Sequence, residues 1–285
     1  MITVIAGGTG SAKIVRAIAK KVHDIHIISN VADNIWLMGL YVCPDIDTIV
    51  YALSGCLDIE RGWGIAQDSF NFLKQLDALG YEAWFKIGDK DLVTHVIRTK
   101  MMREGHPLSS VTRWMSMRYN IEAKIIPFTD DHVETRIITE KGEMHLQEFW
   151  VKNLGKLGVK GIRYHGLETS AVNKEAVRAI NDSETIVIAP GNPISSIGPI
   201  VTHTSIRDGL IQNRLAGGAR ELRFVRAHGD VDQRRLFQKF HETVANFAPV
   251  RMRRAAMFPA AVRAMPQQAC ESTVSPSNTW MMSVR

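Results

Sequence analysis

Asp33, Asp45 and Asp47 lie within fifteen residues of one another in the stretch Asn30-Val-Ala-Asp-Asn-Ile-Trp-Leu-Met-Gly-Leu-Tyr-Val-Cys-Pro-Asp-Ile-Asp-Thr48, and the run Ile35–Cys43 between them carries no charge. Acids this close need water, helix N-termini, basic side chains or a cation to offset their charge. One unit earlier stands Gly7-Gly8-Thr9-Gly10, between an apolar run and a helical pattern. In a strand–glycine–helix arrangement, backbone N–H groups and a helix N-terminus face a phosphate. Acids beside such a turn point to a divalent metal bridging to a phosphorylated ligand. Lys13 occupies the third glycine position of the dinucleotide fingerprint, so that motif is incomplete. The plain alternatives are a tight turn without a ligand at Gly7–Gly10 and a simple helix N-cap at Asp47. Asp45 precedes the cap in a Pro-Asp turn and is harder to explain that way.

The elements that position these residues alternate. Thr3–Ala6 and Asp24–Ser29 read as buried strands, with a helix over Ser11–Lys21 between them. Asp33 thus follows the C-terminal end of a strand, the edge at which open parallel sheets bind ligands. Asp47 or Thr48 opens a helix through Leu57, and Asp68 caps another ended by Gly80. Ala83–Ile87 reads as a short strand, Gly88–Thr99 as a helix, and Ser109 or Ser110 as the cap of a helix through Met117. Ala123–Phe128, Thr135–Thr139 and Met144–Val151 read as strands, the last two as a hairpin. The stretch from about 68 to 151 breaks the alternation and is read as an inserted lid or subdomain. The alternation resumes with a strand at Val159–Tyr164, a helix over Lys174–Ile180 and a strand at Glu184–Ala189. The turn-rich loop Pro190–Pro199 follows, with Asn192, Ser196 and Gly198 as candidate donors for a diphosphate. The fold class is α/β, a Rossmann-like three-layer parallel sheet with a helical-plus-hairpin insertion.

Composition bounds the rest. The chain has 285 residues, 45% hydrophobic and 22% charged, which reads as soluble and globular. No apolar run approaches the ~18 residues of a membrane helix. The N-terminus runs into glycines without a basic leader, and three cysteines form no CxxC, so a reduced cytoplasmic setting is expected. The net charge of +6 is uneven: residues 214–285 hold eleven Arg and one Lys against five acids, or +7, leaving −1 for 1–213. The basicity is therefore no nucleic-acid footprint of the main body.

In order along the chain, Gly7-Gly-Thr-Gly10, Asn30-Val-Ala-Asp33 with Ile35-Trp36, Pro44-Asp-Ile-Asp-Thr48 and Glu60-Arg-Gly-Trp-Gly64 form a series. Gly88-Asp-Lys-Asp-Leu92 with Thr94-His95, Asp130-Asp131 with Glu134-Thr135, Gln147-Glu-Phe-Trp-Val151, and Asn192-Pro-Ile with Ser196-Ile-Gly-Pro-Ile200 complete it. Together these segments resemble the 2-phospho-L-lactate transferase family of coenzyme F-420 biosynthesis, over about residues 1–212. The resemblance implies transfer of phospholactate, phosphoenolpyruvate or phosphoglycerate from a guanosine-diphosphate-linked donor to the terminal ribityl hydroxyl of the deazaflavin FO. GMP leaves, and Mg²⁺ is the expected metal. Asp45 first, then Asp33, are implied as catalytic and metal-holding residues. Asp47 is a further metal or acceptor ligand and, with Lys90, matches positions implied for FO. Gly7, Gly8, Thr9, Gly10, Asn192, Ser196 and Gly198 are implied to hold the donor. A homodimer is compatible with the resemblance.

Several positions depart from that pattern. Asn34 stands where a second Asp is common, Ser11 replaces a Gly, Lys90 an Arg and Gly191 a Ser. Residues 213–285 form a divergent basic segment, expected to lack regular structure. Its Arg/Ala/Pro/Met-rich text is what a shifted reading frame in a GC-rich gene gives, with sheet strands then missing. The competing readings are a non-catalytic nucleotide-sugar-binding regulator of similar fold, a dinucleotide-dependent oxidoreductase, and an inactive homologue with a basic tail.

Overall fold

The structure, a computed structural model, describes residues 1–215 and 221–224. The remainder of the basic C-terminal segment, including most of the stretch expected to lack regular structure, lies outside the described residues.

In chain order the elements are β1 (Ile2–Ala6), α1 (Gly8–Ala19), β2 (Ile25–Ser29), β3 (Ile35–Leu37), β4 (Leu40–Val42) and α2 (Pro44–Ser54). There follow α3 (Asn71–Ala78), α4 (Asp89–Arg103), α5 (Leu108–Arg118), β5 (Lys124–Pro127), β6 (Glu134–Thr139) and β7 (Gly142–His145). The chain continues with β8 (Val159–His165), α6 (Lys174–Asn181), β9 (Thr185–Ile188), α7 (Gly198–Thr202), α8 (Thr204–Leu215) and β10 (Glu221–Phe224).

Five strands form one parallel sheet in the order β10-β9-β1-β2-β5. β1 and β2 are nearly continuous apolar runs because a strand in this position is covered on both faces. α1 packs on α2 and α2 on α5, while α6 and α7 pack on α8. Right-handed crossovers place the first group on one face and the second on the other. Val4, Ile5, Ile27, Ile28, Ile126 and Ile186 are the centre of the core, with Val15, Ile49 and Ile180 entering from helices. The chain runs outward from β1 through β2 to β5, then returns to β9 on the other side. The order therefore reverses between β1 and β9, and a crevice opens at their C-terminal ends.

The Rossmann-like reading holds, and several local expectations do not. Lys124–Pro127 belongs to the parallel sheet, beside β2. Val159–His165 instead joins an antiparallel sheet, β7-β6-β8, with Ile137, Leu146 and Phe149 as its own small core. Arg163 and His165 are exposed and alternate with the half-buried Ile162 and Tyr164, which suits a half-exposed antiparallel strand. Residues 148–152 form a π-helical turn and no strand. Leu146 and Phe149 are three apart, so a helical turn buries both. Ala83–Ile87 has no strand partner, because β3 and β4 pair only with each other among the described residues. Ile87 packs by side chain against Leu37 and Val42. The parallel sheet does not end at β9, since Glu221–Phe224 adds a fifth strand inside the segment where strands were expected to be missing.

The helix starts also differ. α5 begins at Leu108 after Pro107, and Asp130 accepts from the Ser109 amide at 2.6 Å and its hydroxyl at 2.7 Å. Asp68 does not cap α3, which begins three residues later; the two caps are exchanged. Asp68 accepts from the amides of Lys90 and Asp91 at the start of α4, and Asp89 accepts from those of Asn71 and Phe72 at the start of α3. Gly88 makes the exchange feasible, because a Cβ there would overlap the Asp68 carboxylate. No residue from 53 to 86 is buried, so this exchange carries much of the attachment of α3. Asp68→Ala is expected to lower stability by about 1 kcal/mol and to raise amide exchange at Lys90 and Asp91. A thermal melt and hydrogen exchange check both; unchanged exchange at those two amides contradicts the assignment.

Candidate functional site

The crevice at the C-terminal ends of β1 and β9 is built from three loops. Gly7 and Gly8 follow β1, Asn30–Asn34 follows β2, and Pro190–Ile197 follows β9. They approach so closely that a Cβ on Gly7 would lie 2.7 Å from the Ser196 carbonyl oxygen and 2.9 Å from Asp45 Oδ2. The φ of Gly7 is −167°, open to any residue, so close approach is what demands glycine there. Gly8, at φ 74°, needs glycine for its backbone as well.

Asp33 and Asp45 are each 5% exposed. Asn30 Nδ2 lies 2.9 Å from Asp45 Oδ2 and 3.1 Å from the Ser195 carbonyl, while its Oδ1 accepts from the Ala32 amide. The Gly8 amide also donates to Asp45. Burial pushes the Asp45 carboxyl up from 3.8 to about 6, against the opposing pull of these two donors. Asp33 is raised well above the ordinary carboxylate range, by burial first and by the charge of Asp45 second. Thr135 Oγ1 is its side-chain neighbour at 3.4 Å.

The antiparallel sheet braces this loop. The Thr135 amide donates to the Ala32 carbonyl at 2.7 Å, and Gln147 Nε2 to the Asp33 carbonyl at 3.4 Å. His145 Nδ1 accepts from the Gln147 amide, so the proton sits on Nε2, which donates to the Asn34 carbonyl at 3.1 Å. Tyr164 on β8 donates to the Ile194 carbonyl at 2.5 Å and packs so tightly on Gly198 that a Cβ there would overlap its hydroxyl.

Asp47 has a different setting. Cys43 is the N-cap of α2 and Pro44 its first residue, so Asp47 lies in the first turn without capping it. Its carboxylate takes both terminal nitrogens of Arg98, a side chain 1% exposed. Arg98 Nη1 also donates to the Tyr41 carbonyl at 3.2 Å. His95 lies between Asp47 and Asp91, and Tyr51 donates to Asp91 at 2.6 Å. Lys90 is exposed, and its Nζ donates to the carbonyls of Ala66 and Gln67.

The structure thus brings together Asp33, Asp45, Gly7, Gly8 and Ser196. Thr9 is exposed and Gly10 half-buried in the first turn of α1, where helix amides lack intrahelical partners. Asn192 Oδ1 accepts from the amides of Ile194 and Ser195, so that side chain shapes its loop. Lys90 is held at a separate turn. A cavity of about 600 Å³ lies at the edge strand β5, lined by residues including His26, Met117 and Ile125, and none of these acids lines it.

The family model of the 2-phospho-L-lactate transferase CofD matches residues 2–217, most of the chain. The chain belongs to this family. It is similar to the 2-phospho-L-lactate transferase of Methanocorpusculum labreanum, 38% identical over 216 residues that span 74% of this chain and 71% of that one. Likewise, it is 34% identical to the phosphoenolpyruvate transferase of Mycolicibacterium smegmatis over 73% of this chain and 69% of that one. The 2-phospho-L-lactate transferase of Methanosarcina mazei is also 34% identical, over 74% and 71%. Among solved structures, a member of the UPF0052 family from Bacillus halodurans is similar in fold, with a TM-score of 0.52 and 17% identity over 74% of this chain. The chain spans 65% of that protein's length.

Within this CofD-family chain, sequence reasoning passed over Asn30 as a site residue, and it missed Tyr164 and Arg98. A signal for Arg98 existed. Asp91, His95 and Arg98 lie at i, i+4 and i+7 on α4 and are buried, while Val93 and Val96 on the same helix are 55% and 47% exposed. A helix whose polar stripe faces inward marks a buried network.

The acid pair fits a hard divalent cation. Both carboxylates are buried, each lacks a basic side chain among the groups that shift it, and Asp45 raises Asp33. No cluster of three or more His, Cys, Asp or Glu is placed to hold a metal among the described residues. Two carboxylates suit Mg²⁺, which takes one or two acids and completes its shell with water and substrate phosphates.

Because Asp45 binds its proton more tightly folded than unfolded, the stability tied to this group is full below about pH 4 and is lost as pH rises through about 6. The penalty at pH 8 is on the order of 3 kcal/mol. In EDTA, Asp45→Asn is expected to melt several degrees above wild type at pH 8 and to converge with it near pH 4. Thermal melts at the two pH values check this; equal differences at both contradict it.

Proposed function

We propose that this chain transfers a phospho-three-carbon-acid group from a guanosine-diphosphate-linked donor to the deazaflavin FO in coenzyme F-420 biosynthesis. The observation that carries the reading is a buried pair of acids at the switch point of a CofD-family chain, facing a glycine turn. The acid group is 2-phospholactate, phosphoenolpyruvate or 3-phosphoglycerate. One relative is named for phospholactate transfer and another for phosphoenolpyruvate transfer.

The acceptor hydroxyl oxygen attacks the phosphorus that carries the three-carbon acid. The bond from that phosphorus to the bridging oxygen breaks, and GMP leaves with the oxygen. The hydroxyl proton passes to a carboxylate of the pair or to water. The protein's part is positioning and charge placement. Thr9 and Gly10 amides at the start of α1, with Ser196, hold the donor phosphates. Asn30 and the Gly8 amide fix Asp45, and Thr135 flanks Asp33. Asp45 and Asp33 would hold Mg²⁺, whose chemistry is to neutralise charge on the diphosphate. Asp47 is spoken for by Arg98 and does not contact FO in this reading; Lys90 contributes to FO recognition as a point charge, without the fork of an arginine. No helix is long and apolar enough to cross a membrane among the described residues, and the proposed setting is the cytoplasm.

The test mixes purified protein with FO, Mg²⁺ and each of the three guanosine-linked donors, and reads products by mass. One donor is expected to yield the FO phosphodiester and one GMP per turnover. Asp33→Asn and Asp45→Asn are expected to lower turnover about 100-fold or more. No product from any donor, with neither FO nor GDP bound, overturns the proposal. Binding without turnover instead supports the non-catalytic homologue.

A further inference from the structure

Asp45 and Asp47 sit two residues apart in the first turn of α2, so they project about 200° apart around the helix axis. Asp45 faces Gly8 and Asn30, and Asp47 faces α4. Any rotation of α2 that releases Asp47 therefore swings Asp45 away from Asp33.

We propose that Arg98 is the positioning residue of the acid pair: its guanidinium, buried in α4, fixes the rotation of α2 through Asp47 and thereby aims Asp45. The inference rests on the transferase reading for its consequence in turnover, though not for its geometry.

Three contacts carry it. Arg98 engages both oxygens of Asp47, and a two-pronged contact fixes orientation where a single bond would fix only distance. Arg98 Nη1 reaches the Tyr41 carbonyl, and Thr99 Oγ1 accepts from the Tyr41 amide at 2.8 Å. Adjacent residues of α4 thus hold both polar groups of the residue that leads through Val42 and Cys43 into α2. At the other end of the helix, Asp91 accepts from Tyr51. α4 grips α2 along its length, and Arg98 is the grip nearest Asp45. Burial costs this charge its hydration, and Asp47 more than restores it, so the guanidinium is held charged. Its extent and its fork fit a role in holding geometry, which a lysine at that place does not reproduce.

The experiment follows the Gly8 amide, which donates to Asp45, by NMR in the full chain. In Arg98→Lys, Gly8 is expected to shift and to exchange about tenfold faster or more, while Val4, Ile27 and Ile188 amides keep wild-type protection. Asp45→Ala, which removes the acceptor itself, is the reference for that Gly8 signature. Turnover of Arg98→Lys is expected to fall about 100-fold, with GDP affinity within about threefold of wild type. Because lone buried charges can unfold a protein, Asp47→Leu with Arg98→Met removes both charges together. That double variant is expected to fold, and to show the same fast Gly8 exchange. A wild-type Gly8 signal in folded Arg98→Lys or in the double variant overturns the proposal. So does equal loss of protection at Gly8 and throughout β1, β2 and β9, which is general destabilisation. Since the Gly8 readout needs no turnover, a chain inactive with every donor leaves this test standing and fails only the transferase reading.

Discussion

The burial of Asp33 beside Asp45 is the constraint on which the surrounding structure turns. Burial in a dry crevice raises the proton affinity of both carboxyls, and the charge of Asp45 raises that of Asp33 further. The neighbouring elements supply only neutral donors: the Asn30 amide, the Gly8 amide and the Thr135 hydroxyl. They fix the acids without cancelling their charge. Acids held in this way come at a cost in the stability of the fold.

Asp47 shows the contrast. It lies in the same helical turn as Asp45 and is equally buried, yet it is matched by a guanidinium. One acid is anchored and the other held in reserve, and α2 joins them rigidly. The same division runs through the glycine turn. The amide of Gly7 goes to Ser11 and that of Gly8 to Asp45. The Thr9 and Gly10 amides follow in the first turn of α1, where helix amides lack intrahelical partners. The antiparallel sheet is likewise no distant lid. Through Thr135, His145 and Gln147 it holds the backbone of the acid loop itself.

Much of this was legible in the sequence because its determinants are local. Thr3–Ala6 and Asp24–Ser29 read as buried parallel strands from their apolar runs, and the glycine turn and acids after them mark the binding edge. The strand Val159–His165 was legible as a strand, but its sheet was not: its partner Glu134–Thr139 is distant in sequence, and pairing is a tertiary choice. The exchanged caps of Asp68 and Asp89 escape a local reading for the same reason, since each aspartate serves the other's helix. Asp47 illustrates the limit most sharply. Its position admits a cap, a ligand or an ion pair, and only the approach of Arg98 from 51 residues away separates them.

If Mg²⁺ binds at Asp33 and Asp45 as proposed, it displaces the protons that burial holds on the pair. Calorimetric titration of Mg²⁺ into the protein with GDP at pH 7, repeated in buffers of different ionisation enthalpy, measures the protons released on binding. Saturable binding accompanied by proton release is expected, with loss of both in Asp33→Asn. Binding that releases no proton, or that persists unchanged when both aspartates are replaced by asparagine, would contradict the proposed site.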